Sequence, residues 1–431
     1  MKRLNTSPIS GMQEFLPATQ AVFEQFKTQI AEVYHSHGFL KIETPTIDRT
    51  EILCAKAGGD TEKQIYKVYK TAETADSADQ ALRFDHTVPL ARYVVEHMNE
   101  LDFPFRVTQI GKNFRGERAQ KGRFREFYQC DVDIIGRGTL PLMYDAEIIA
   151  TYIDALNRIN IPSAVVRINN RKILSGFINS LALSPLEKEI LGIIDHAEKV
   201  PLEATFDSLK SLNIGDDDIE KIMEFINISG TSEEAARKLE DFDFGDEVYA
   251  EGVKELIEIL KALETQGYKN IAIADMMIVR GLDYYTGTVF EAFFKDYKEI
   301  GAIGGGGRYE ALASHFTDQA FPGVGGSIGL SRLFYILQEH KLLAERTEAP
   351  VDYCLIPMSE KEYAEAFCLA KKLRKKNFAV DIVFSGKRIG DKLSHAGKIG
   401  KFGIVIGEDE VKTGKFQVKN LTTGEKTILE I

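Results

Sequence analysis

Three polar side chains at alternate positions form a first group that could do chemistry. Gln129, Asp131 and Asp133 lie in the run EFYQCDVDII, whose other residues are largely apolar. Side chains repeat every second residue along a strand, so the three share one face. Polar groups buried there without partners would be costly, whereas they suit the lining of a polar pocket. The spacing therefore predicts a ligand pocket on that face.

A dense group of cations lies just before that run, in the segment GKNFRGERAQKGRFR at 111–125. Its basic residues are Lys112, Arg115, Arg118, Lys121, Arg123 and Arg125. Charge alone also fits a solvated hairpin loop, but Gly116 and Gly122 allow tight turns or close approach to a ligand. An arginine can hold a phosphate through two parallel hydrogen bonds. Because the sequence contains no GxxxxGK[ST] motif, any ATP would be held by arginines on an antiparallel sheet.

A third group combines Arg280–Tyr285 (RGLDYY) with four consecutive glycines at 304–307. Its two tyrosines could pack in the core or line a pocket. Adjacent strand residues face opposite sides, so both can reach one pocket only if the backbone turns near Gly281 or Gly287. The glycine run could be a flexible loop, but between strands it favours close approach of the backbone to another element or a ligand.

Hydrophobic periodicity predicts the elements that must position these groups. Helical spacing indicates helices at 18–38, 88–99 and 144–159. Alternation indicates strands at 105–110 and 126–135, joined as a long antiparallel hairpin. Further strands are predicted at 165–170, 271–279, 287–294 and 303–306, and a glycine-rich strand leading into a helix at 321–340.

Several domains are expected, because 431 residues exceed what one core usually organises. Residues 178–265 have a helical, acidic pattern that predicts a separate insertion; within 201–260 there are 5 basic and 17 acidic residues, a balance of −12. That segment accounts for the whole net charge of −11, so other parts can still meet a polyanion. After a linker at 341–350, residues 351–431 alternate as β-α-β-α-β and carry 15 basic and 11 acidic residues, a balance of +4.

The motifs resemble those of the class II aminoacyl-tRNA synthetases. FKTQIAEVYHSHGFLKIETP at 26–45 is similar to their motif 1, the dimer-forming element. FRGERAQKGRFREFYQCDVDIIG at 114–136 is similar to motif 2, and GVGGSIGLSRL at 323–333 to motif 3.

Three further segments resemble the histidyl-tRNA synthetase family in particular. RGLDYYTGTVFE at 280–291 and GGGGRYEAL at 304–312 are similar to its two signatures, and LRFDHTVPLAR at 82–92 to its amino-acid-binding segment. The resemblance implies an α+β catalytic domain at 1–177 and 266–340, built on a mainly antiparallel sheet flanked by helices. It also implies that the helical insertion interrupts this domain and that the C-terminal α/β domain binds the anticodon.

The family carries out two steps: histidine and ATP form histidyl-adenylate, and histidine then passes to the 3′ end of tRNA(His). The resemblance assigns Arg115 and Arg280 to catalysis at the α-phosphate. It assigns ATP binding to Arg115, to Glu117 at the adenine edge and to Arg332 at the γ-phosphate. The residues implied for histidine binding are Asp85, Thr87, Arg115, Gln129, Asp133, Arg280, Tyr284 and Tyr285.

The implied partners are L-histidine, ATP, tRNA(His) and a second copy of the chain, and Mg²⁺ is expected with the ATP. No magnesium ligand is assigned, because Ser331 stands where many relatives carry an acidic residue before the motif 3 arginine. Asp85 likewise stands where many relatives carry glutamate. No histidine is assigned to a metal or to catalysis.

The remaining composition indicates a cytoplasmic protein with no membrane partner. The sequence has no apolar run of about 18 residues, and its start lacks the apolar core of a signal peptide. Its four cysteines lie far apart without metal-like spacing, which favours thiols in a reducing compartment.

Two other functions remain as alternatives. One relative of the family is a regulatory subunit of ATP phosphoribosyltransferase, which binds histidine without charging tRNA; such proteins usually lack the anticodon-binding domain and parts of the signatures. This chain keeps Arg115, Arg280, Arg332 and residues 351–431. The other alternative is a class II synthetase for glycine, threonine or proline. The tyrosine pair, Tyr284 and Tyr285, and the polar row, Gln129, Asp131 and Asp133, argue against it.

Overall fold

The structure is a computed structural model of the 431-residue chain. It describes residues 4–55, 63–72, 79–120, 122–242, 244–280, 285–297, 300–311, 313–343, 351–384 and 388–430. The chain divides into two compact units, Met1–Phe15 with Phe23–Leu343, and Leu16–Val22 with Ala344–Ile431. Residues 281–284, with the predicted turn at Gly281 and the predicted ligand Tyr284, lie outside the described residues, as does most of the predicted linker.

The first unit is built on two sheets. Its described strands are β1 (Leu40–Lys41), β2 (Ile47–Arg49), β3 (Lys67–Val68), β4 (Gln80–Leu82), β5 (Phe105–Phe114), β6 (Glu126–Ile135), β7 (Ala164–Asn170), β8 (Ser229–Gly230), β9 (Ala272–Asp275), β10 (Thr288–Phe294), β11 (Gly304–Tyr309) and β12 (Gly323–Ile328). The central sheet has the order β1-β5-β6-β12-β11-β10-β7-β9-β8, and a small sheet has the order β2-β4-β3.

Pairing in the central sheet is mainly antiparallel, as predicted. Among the described strands, β1 with β5 and β7 with β9 are parallel, and the other neighbours are antiparallel. The predicted hairpin of β5 and β6 is confirmed, with Phe105 opposite Ile135 and Phe114 opposite Glu126. Both strands are ten residues long, so the first continues past its predicted end at residue 110.

Helices flank this sheet. Those described in the first unit are α1 (Pro17–Ser36, which belongs to this unit from Phe23 onwards), α2 (Thr50–Leu53), α3 (Thr87–Glu96), α4 (Met143–Arg158), α5 (Arg171–Ser180), α6 (Glu187–Ala197), α7 (Leu202–Lys210), α8 (Asp216–Ile226), α9 (Ser232–Glu240), α10 (Glu247–Thr265) and α11 (Leu330–Glu339), with a 3₁₀ turn at Ser184–Leu186. Helix α1 ends close to the predicted stop at Gly38, whose φ of +80° suits glycine.

One face of the central sheet is packed by helices. Phe23 of α1 lies against Phe334 of α11, with ring centroids 5.1 Å apart, and against Tyr128 of β6 at 5.4 Å. Tyr152 of α4 packs against Phe290 of β10 at 5.4 Å. Since Tyr128 and Gln129 point to opposite sides of β6, the polar row faces away from these helices.

The helices predicted between 178 and 265 are present, but helical structure begins earlier, at Arg171. They are also not detached from the sheet, because β8 pairs with β9 at its edge. Helices α5 and α10 approach closely through glycine: a Cβ on Gly252 would lie 2.7 Å from the backbone N of Ile173. The boundaries 178–265 therefore stay a prediction, and β8, which lies between these helices, extends the central sheet.

The second unit contains the predicted α/β domain with a sheet of its own. Its described elements are β13 (Val351–Pro357), a 3₁₀ turn (Glu360–Glu362), α12 (Tyr363–Lys375), β14 (Val380–Ile382), α13 (Ile389–Ile399), β15 (Gly400–Ile406), α14 (Glu408–Thr413), β16 (Lys415–Asn420) and β17 (Lys426–Glu430). The sheet order is β14-β13-β15-β16-β17, parallel at the first three strands. The antiparallel strands β16 and β17 were not predicted; Asn420 turns the chain between them by accepting from the N–H groups of Thr422 and Thr423.

Among the described residues, no helix combines the length and the apolar character that crossing a membrane requires.

A buried ion pair ties α4 to the central sheet. Nη2 of Arg308 in β11 lies 2.6 Å from Oδ1 of Asp145, whose side chain is 0% exposed. Thr288 of β10 donates to the same carboxylate at 2.5 Å. The remaining guanidinium protons reach the carbonyls of Leu140 and Pro141. These partners of the buried charge are therefore supplied by the fold, and removing the carboxylate leaves the guanidinium group without its counter-charge.

Asp145→Asn should lower the free energy of unfolding by about 3 kcal/mol, because it leaves the buried guanidinium of Arg308 without its counter-charge. Urea denaturation measures the effect. Glu51→Gln is the matched control: its carboxylate is 78% exposed and 3.8 Å from Arg49, so the change should be within about 0.5 kcal/mol. Equal stability of Asp145→Asn and the wild type would contradict this role.

Candidate active site

The face of the central sheet that points away from α1, α4 and α11, here called the open face, is lined by glycines that form the glycine floor of the site. Gly305 and Gly307 of β11 and Gly325 of β12 point to the same side as Asp133, since Gly307 is opposite Gly325 and Gly325 is opposite Asp133. A Cβ on Gly325 would overlap Oδ1 of Asp133. A Cβ on Gly305 would lie 2.7 Å from Nη1 of Arg280. The glycine run thus marks a close approach, as predicted, and lets functional side chains lie directly on the backbone.

Asp133 occupies this floor as a buried carboxyl group. The hydroxyl of Tyr309 donates to its Oδ1 at 2.9 Å. Burial, reinforced by the neighbouring charge of Asp131, raises the pKa of Asp133 to about 8, although the hydrogen bond from Tyr309 acts in the opposite direction. The group is therefore poised to exchange a proton near neutral pH.

Tyr285 lies over the same floor, and a Cβ on Gly307 would be 2.8 Å from its Cδ1. Its ring packs against Ala91 and Tyr309. Burial raises the pKa of Tyr285 to about 12, so the phenol is neutral and can donate. The chain bends at Thr286 and Gly287 before β10 begins, but the shared site of Tyr284 and Tyr285 stays a prediction.

Arg280 and Glu291 form an ion pair on this face. Gly305 of β11 and Glu291 of β10 are opposite each other, so the side chain of Glu291 lies on the same face as the position of Gly305. The side chain of Arg280 is 36% exposed, so the ion pair leaves part of it open to a ligand. Arg280 is thus a cation near Tyr285, held by one carboxylate.

Arg115 begins the loop after β5 and lies at the edge of the pocket. Its guanidinium stacks over the ring of Phe84 at 4.3 Å and that of Phe127 at 5.1 Å. Nε also donates to the carbonyl of Phe84 at 3.3 Å. Burial lowers the pKa of Arg115, opposed by Asp85, while the nearby charge of Arg280 lowers it further.

Arg332, in the first turn of α11, adds a further cation. Its Nη2 donates to the carbonyl of Ile300 at 3.1 Å, whereas Nε is buried and has no hydrogen-bond partner within the described ranges. Burial lowers the pKa of Arg332, and the charges of Arg123 and Arg280 act in the same direction. A guanidinium group whose charge is disfavoured by neighbouring cations is well suited to a polyanion, which would relieve that repulsion.

The other predicted binding residues lie around this pocket. Asp85 accepts from the N–H of Val88 at 3.0 Å and so caps α3, in which Thr87 is the first residue. Burial raises the pKa of Asp85, while Val88 and Arg115 act in the opposite direction. Glu117 lies in the hairpin loop with its Oε2 3.6 Å from Nη1 of Arg123. Thus Gln129, Asp133, Arg280 and Tyr285 share the sheet face, Asp85 and Thr87 lie on the α3 turn, and Glu117 lies in the hairpin loop.

Several residues of this region were not predicted from the sequence. Tyr309, Ser327 and His86 contact the polar row from β11, from β12 and from the turn before α3. The register that brings these elements together is set by pairing between distant strands. Only Tyr309 could have been found from the sequence nearby: it is two residues after Gly307, and alternate residues of a strand face the same side.

The described residues do not form a magnesium site by themselves. Within the part of the chain that the structure describes, no group of three or more His, Cys, Asp or Glu residues could hold a metal. Glu291 is held by Arg280. Ser331, at the position before the motif 3 arginine, is buried and accepts from the N–H of Tyr128 at 2.9 Å, so it anchors α11 to β6.

Comparison with known proteins gives full-length matches. A family model described as Histidyl-tRNA synthetase matches residues 11–333, and one described as Anticodon binding domain matches residues 352–431. The chain is 44% identical to a Histidine–tRNA ligase of Clostridium tetani, covering 99% of this chain and 96% of the relative. It is 41% identical to one of Finegoldia magna, covering 99% and 98%.

The fold gives the same result. The crystal structure of histidyl-tRNA synthetase from Nostoc sp. PCC 7120 is similar with a TM-score of 0.88 and 34% identity. The match covers 99% of this chain and 97% of that chain.

Asp133→Asn should stabilise the protein increasingly as the pH rises. The folded state raises this pKa to about 8 from about 3.9 in an unfolded chain, so the proton stabilises the fold below the lower value and that contribution is lost towards the higher one. Asparagine keeps the shape and the acceptor for Tyr309 without titrating. The melting temperature of the variant relative to the wild type should therefore rise by about 2 °C or more between pH 5 and pH 9.

The exposed carboxylate of Asp102 provides the control, since Asp102→Asn should show no such trend. A difference between Asp133→Asn and the wild type that does not change with pH would refute the buried, protonated state of Asp133.

Proposed function

Because the chain belongs to the histidyl-tRNA synthetase family, we propose that it activates L-histidine with ATP and transfers histidine to the 3′ end of tRNA(His). The observation that carries this assignment to the site is the glycine floor, over which a buried carboxyl group, a tyrosine and an arginine lie together. The imidazole ring of histidine, which can donate and accept hydrogen bonds, matches the carboxyl group and the tyrosine, and the histidine carboxylate matches the arginine. Both reaction steps follow from the family.

The imidazole ring binds between Asp133 and the tyrosines, with Tyr284 and Tyr285 as the proposed pair. Its two nitrogens face groups that can donate or accept a proton, which is supported by the raised pKa values of Asp133 and Tyr285. An apolar amino acid would leave these buried polar groups unpaired, and such a site rejects the wrong substrate strongly. The pocket therefore selects histidine by polarity.

The backbone groups of the amino acid bind at the edge of that pocket. Asp85, Thr87 and Gln129 hold the ammonium group, and Arg115 and Arg280 hold the carboxylate. Asp85 keeps Oδ2 for this purpose while Oδ1 accepts from Val88. Two guanidinium groups on one carboxylate fix the direction from which it attacks phosphorus.

ATP lies across the hairpin of β5 and β6. Arg115 binds the α-phosphate, Arg332 the γ-phosphate and Glu117 the adenine edge. A carboxylate oxygen of histidine attacks the α-phosphorus, the bond to the bridging oxygen breaks, and pyrophosphate leaves with its electron pair. Fixed guanidinium groups stabilise the charge that gathers on the five-coordinate phosphorus without reorganising. No general base is required, because the attacking carboxylate is already ionised.

Mg²⁺ is proposed to arrive with the ATP. It prefers to take most of its ligands from phosphates and water, with one or two carboxylates from the protein. Since the described residues build no dedicated site, we assign it no ligand and no step. When bound, it would supply further positive charge to the phosphates.

The second unit is proposed to bind the anticodon, which is supported by the family match at 352–431 and by its balance of 15 basic and 11 acidic residues at 351–431. We further propose a homodimer formed through the motif 1 segment at 26–45, and the cytoplasm as the compartment. The division into a catalytic domain at 1–177 and 266–340, with an insertion at 178–265, belongs to the same proposal.

Pyrophosphate exchange distinguishes the proposed function from its two alternatives, a regulatory subunit and a synthetase for another amino acid. The purified protein should catalyse histidine-dependent exchange between pyrophosphate and ATP, and histidine should exceed every other amino acid of a full panel. No exchange with any amino acid would favour the regulatory alternative. A stronger response to glycine, threonine or proline would reject the choice of histidine.

Arg280→Gln should lower kcat of the exchange by about 10²–10³-fold, because it removes a cation from the developing charge at phosphorus. Arg118→Gln is the matched control, since Arg118 is exposed in the hairpin loop and is assigned no ligand. It should leave the exchange within about twofold. Near-normal kcat in Arg280→Gln would remove Arg280 from the catalytic assignment.

A further inference from the structure

A chain of hydrogen bonds crosses the open face from the α3 turn to β5. His86 donates through Nδ1 to Oδ2 of Asp131 at 2.9 Å, and Ser327 donates to the other oxygen at 2.5 Å. Gln129 donates through Nε2 to the Ser327 hydroxyl at 2.6 Å. Asn113 in turn donates to Oε1 of Gln129 at 2.8 Å. The chain therefore links a buried acid to one of the proposed ammonium ligands.

The number of protons that each group can donate decides the direction of these hydrogen bonds. A carboxylate only accepts, and a hydroxyl has a single proton to give. Because Ser327 gives that proton to Asp131, it can only accept from Gln129. The amide of Gln129 must then turn Nε2 towards Ser327 and Oε1 away from it. Oε1 has two lone pairs, and Asn113 uses one of them.

The acid at the start of the chain is held rigidly. The side chains of His86 and Asp131 are 1% and 7% exposed. Thr108 donates to the backbone carbonyl of Asp131 at 2.8 Å, and Gln109 donates to that of His86 at 3.2 Å. Neither residue can change partner without breaking the core around it. Asp131 thus acts on Gln129 through Ser327 from a fixed position.

We propose that His86 and Asp131 are positioning residues that turn Oε1 of Gln129 towards the α-ammonium group of the amino acid. The inference rests on the proposed function and deepens it, since it explains why an amide, which can also present a donor, serves as an acceptor here. Ser327 is the relay. None of the three needs to touch the substrate.

Asp131→Asn reverses the relay without changing its shape. The buried Nε2 of His86 has no hydrogen-bond partner among the described residues, so a proton there would be unpaired and the proton stays on Nδ1. Nδ1 therefore takes Oδ1 of the asparagine as its acceptor, and Nδ2 faces Ser327 and donates to it. Ser327 then gives its proton to Gln129, whose amide turns and presents NH₂ to the ammonium group. The KM for histidine in pyrophosphate exchange should rise about tenfold to a hundredfold, with the KM for ATP within about twofold.

The competitive inhibitor 3-(imidazol-4-yl)propionate separates positioning from general damage, because it keeps the ring and carboxylate but lacks the ammonium group. Its inhibition constant should be the same in Asp131→Asn and the wild type. A loss of affinity for this compound as large as that for histidine would overturn the proposal. Gln129→Glu added to Asp131→Asn should restore the KM for histidine, since a carboxylate accepts from both Ser327 and the ammonium group.

Ser327→Ala keeps the proposal testable if Asp131→Asn folds poorly. With the relay removed, adding Asp131→Asn should change the KM for histidine by less than about twofold, whereas independent effects would multiply. Multiplying effects would contradict the relay. Absence of histidine-dependent exchange in the wild type would refute the proposed function itself. Normal wild-type exchange with an unchanged KM in a folded Asp131→Asn variant would refute this inference alone.

Discussion

The site depends on the close approach of functional side chains to the backbone of two adjacent strands. Gly305, Gly307 and Gly325 leave the open face of β11 and β12 bare, and Arg280, Tyr285 and Asp133 lie on it. A side chain at any of the three would occupy the space of one of these groups. The glycines therefore cost the strands some intrinsic stability, which antiparallel pairing on both sides and the Arg308–Asp145 pair offset.

Electrostatics gives this floor its chemistry. Burial makes Asp133 and Tyr285 hold their protons, so the pocket offers polar groups of low charge to a ring that can donate and accept. At its edge the balance is reversed, because burial and the charge of Arg280 lower the pKa values of Arg115 and Arg332. One side thus suits an imidazole ring and the other a triphosphate, and in the proposed function the two substrates meet at Arg280.

The sequence predicted what local pattern can reveal. The β5–β6 hairpin, its basic loop and the polar row of β6 follow from alternation over a few residues, and the structure contains all three. The partners of that row could not be found in this way: Ser327 is 196 residues from Asp131, and His86 is 45 residues away. His86 was assigned no role because the histidines show no metal-like spacing, and its partner Asp131 belongs to a distant strand. The β16–β17 hairpin was missed since its strands are short and largely exposed.

The affinity of the Gly325→Ala variant for histidine tests the glycine floor most directly. Isothermal titration calorimetry would compare it with Gly326→Ala, whose Cβ points to the opposite face and would lie 2.9 Å from Cζ of Phe290. We expect Gly325→Ala to weaken histidine binding by more than about tenfold, because its Cβ displaces Asp133, whereas Gly326→Ala lowers stability but keeps the dissociation constant within about threefold. Wild-type affinity in Gly325→Ala would contradict the account.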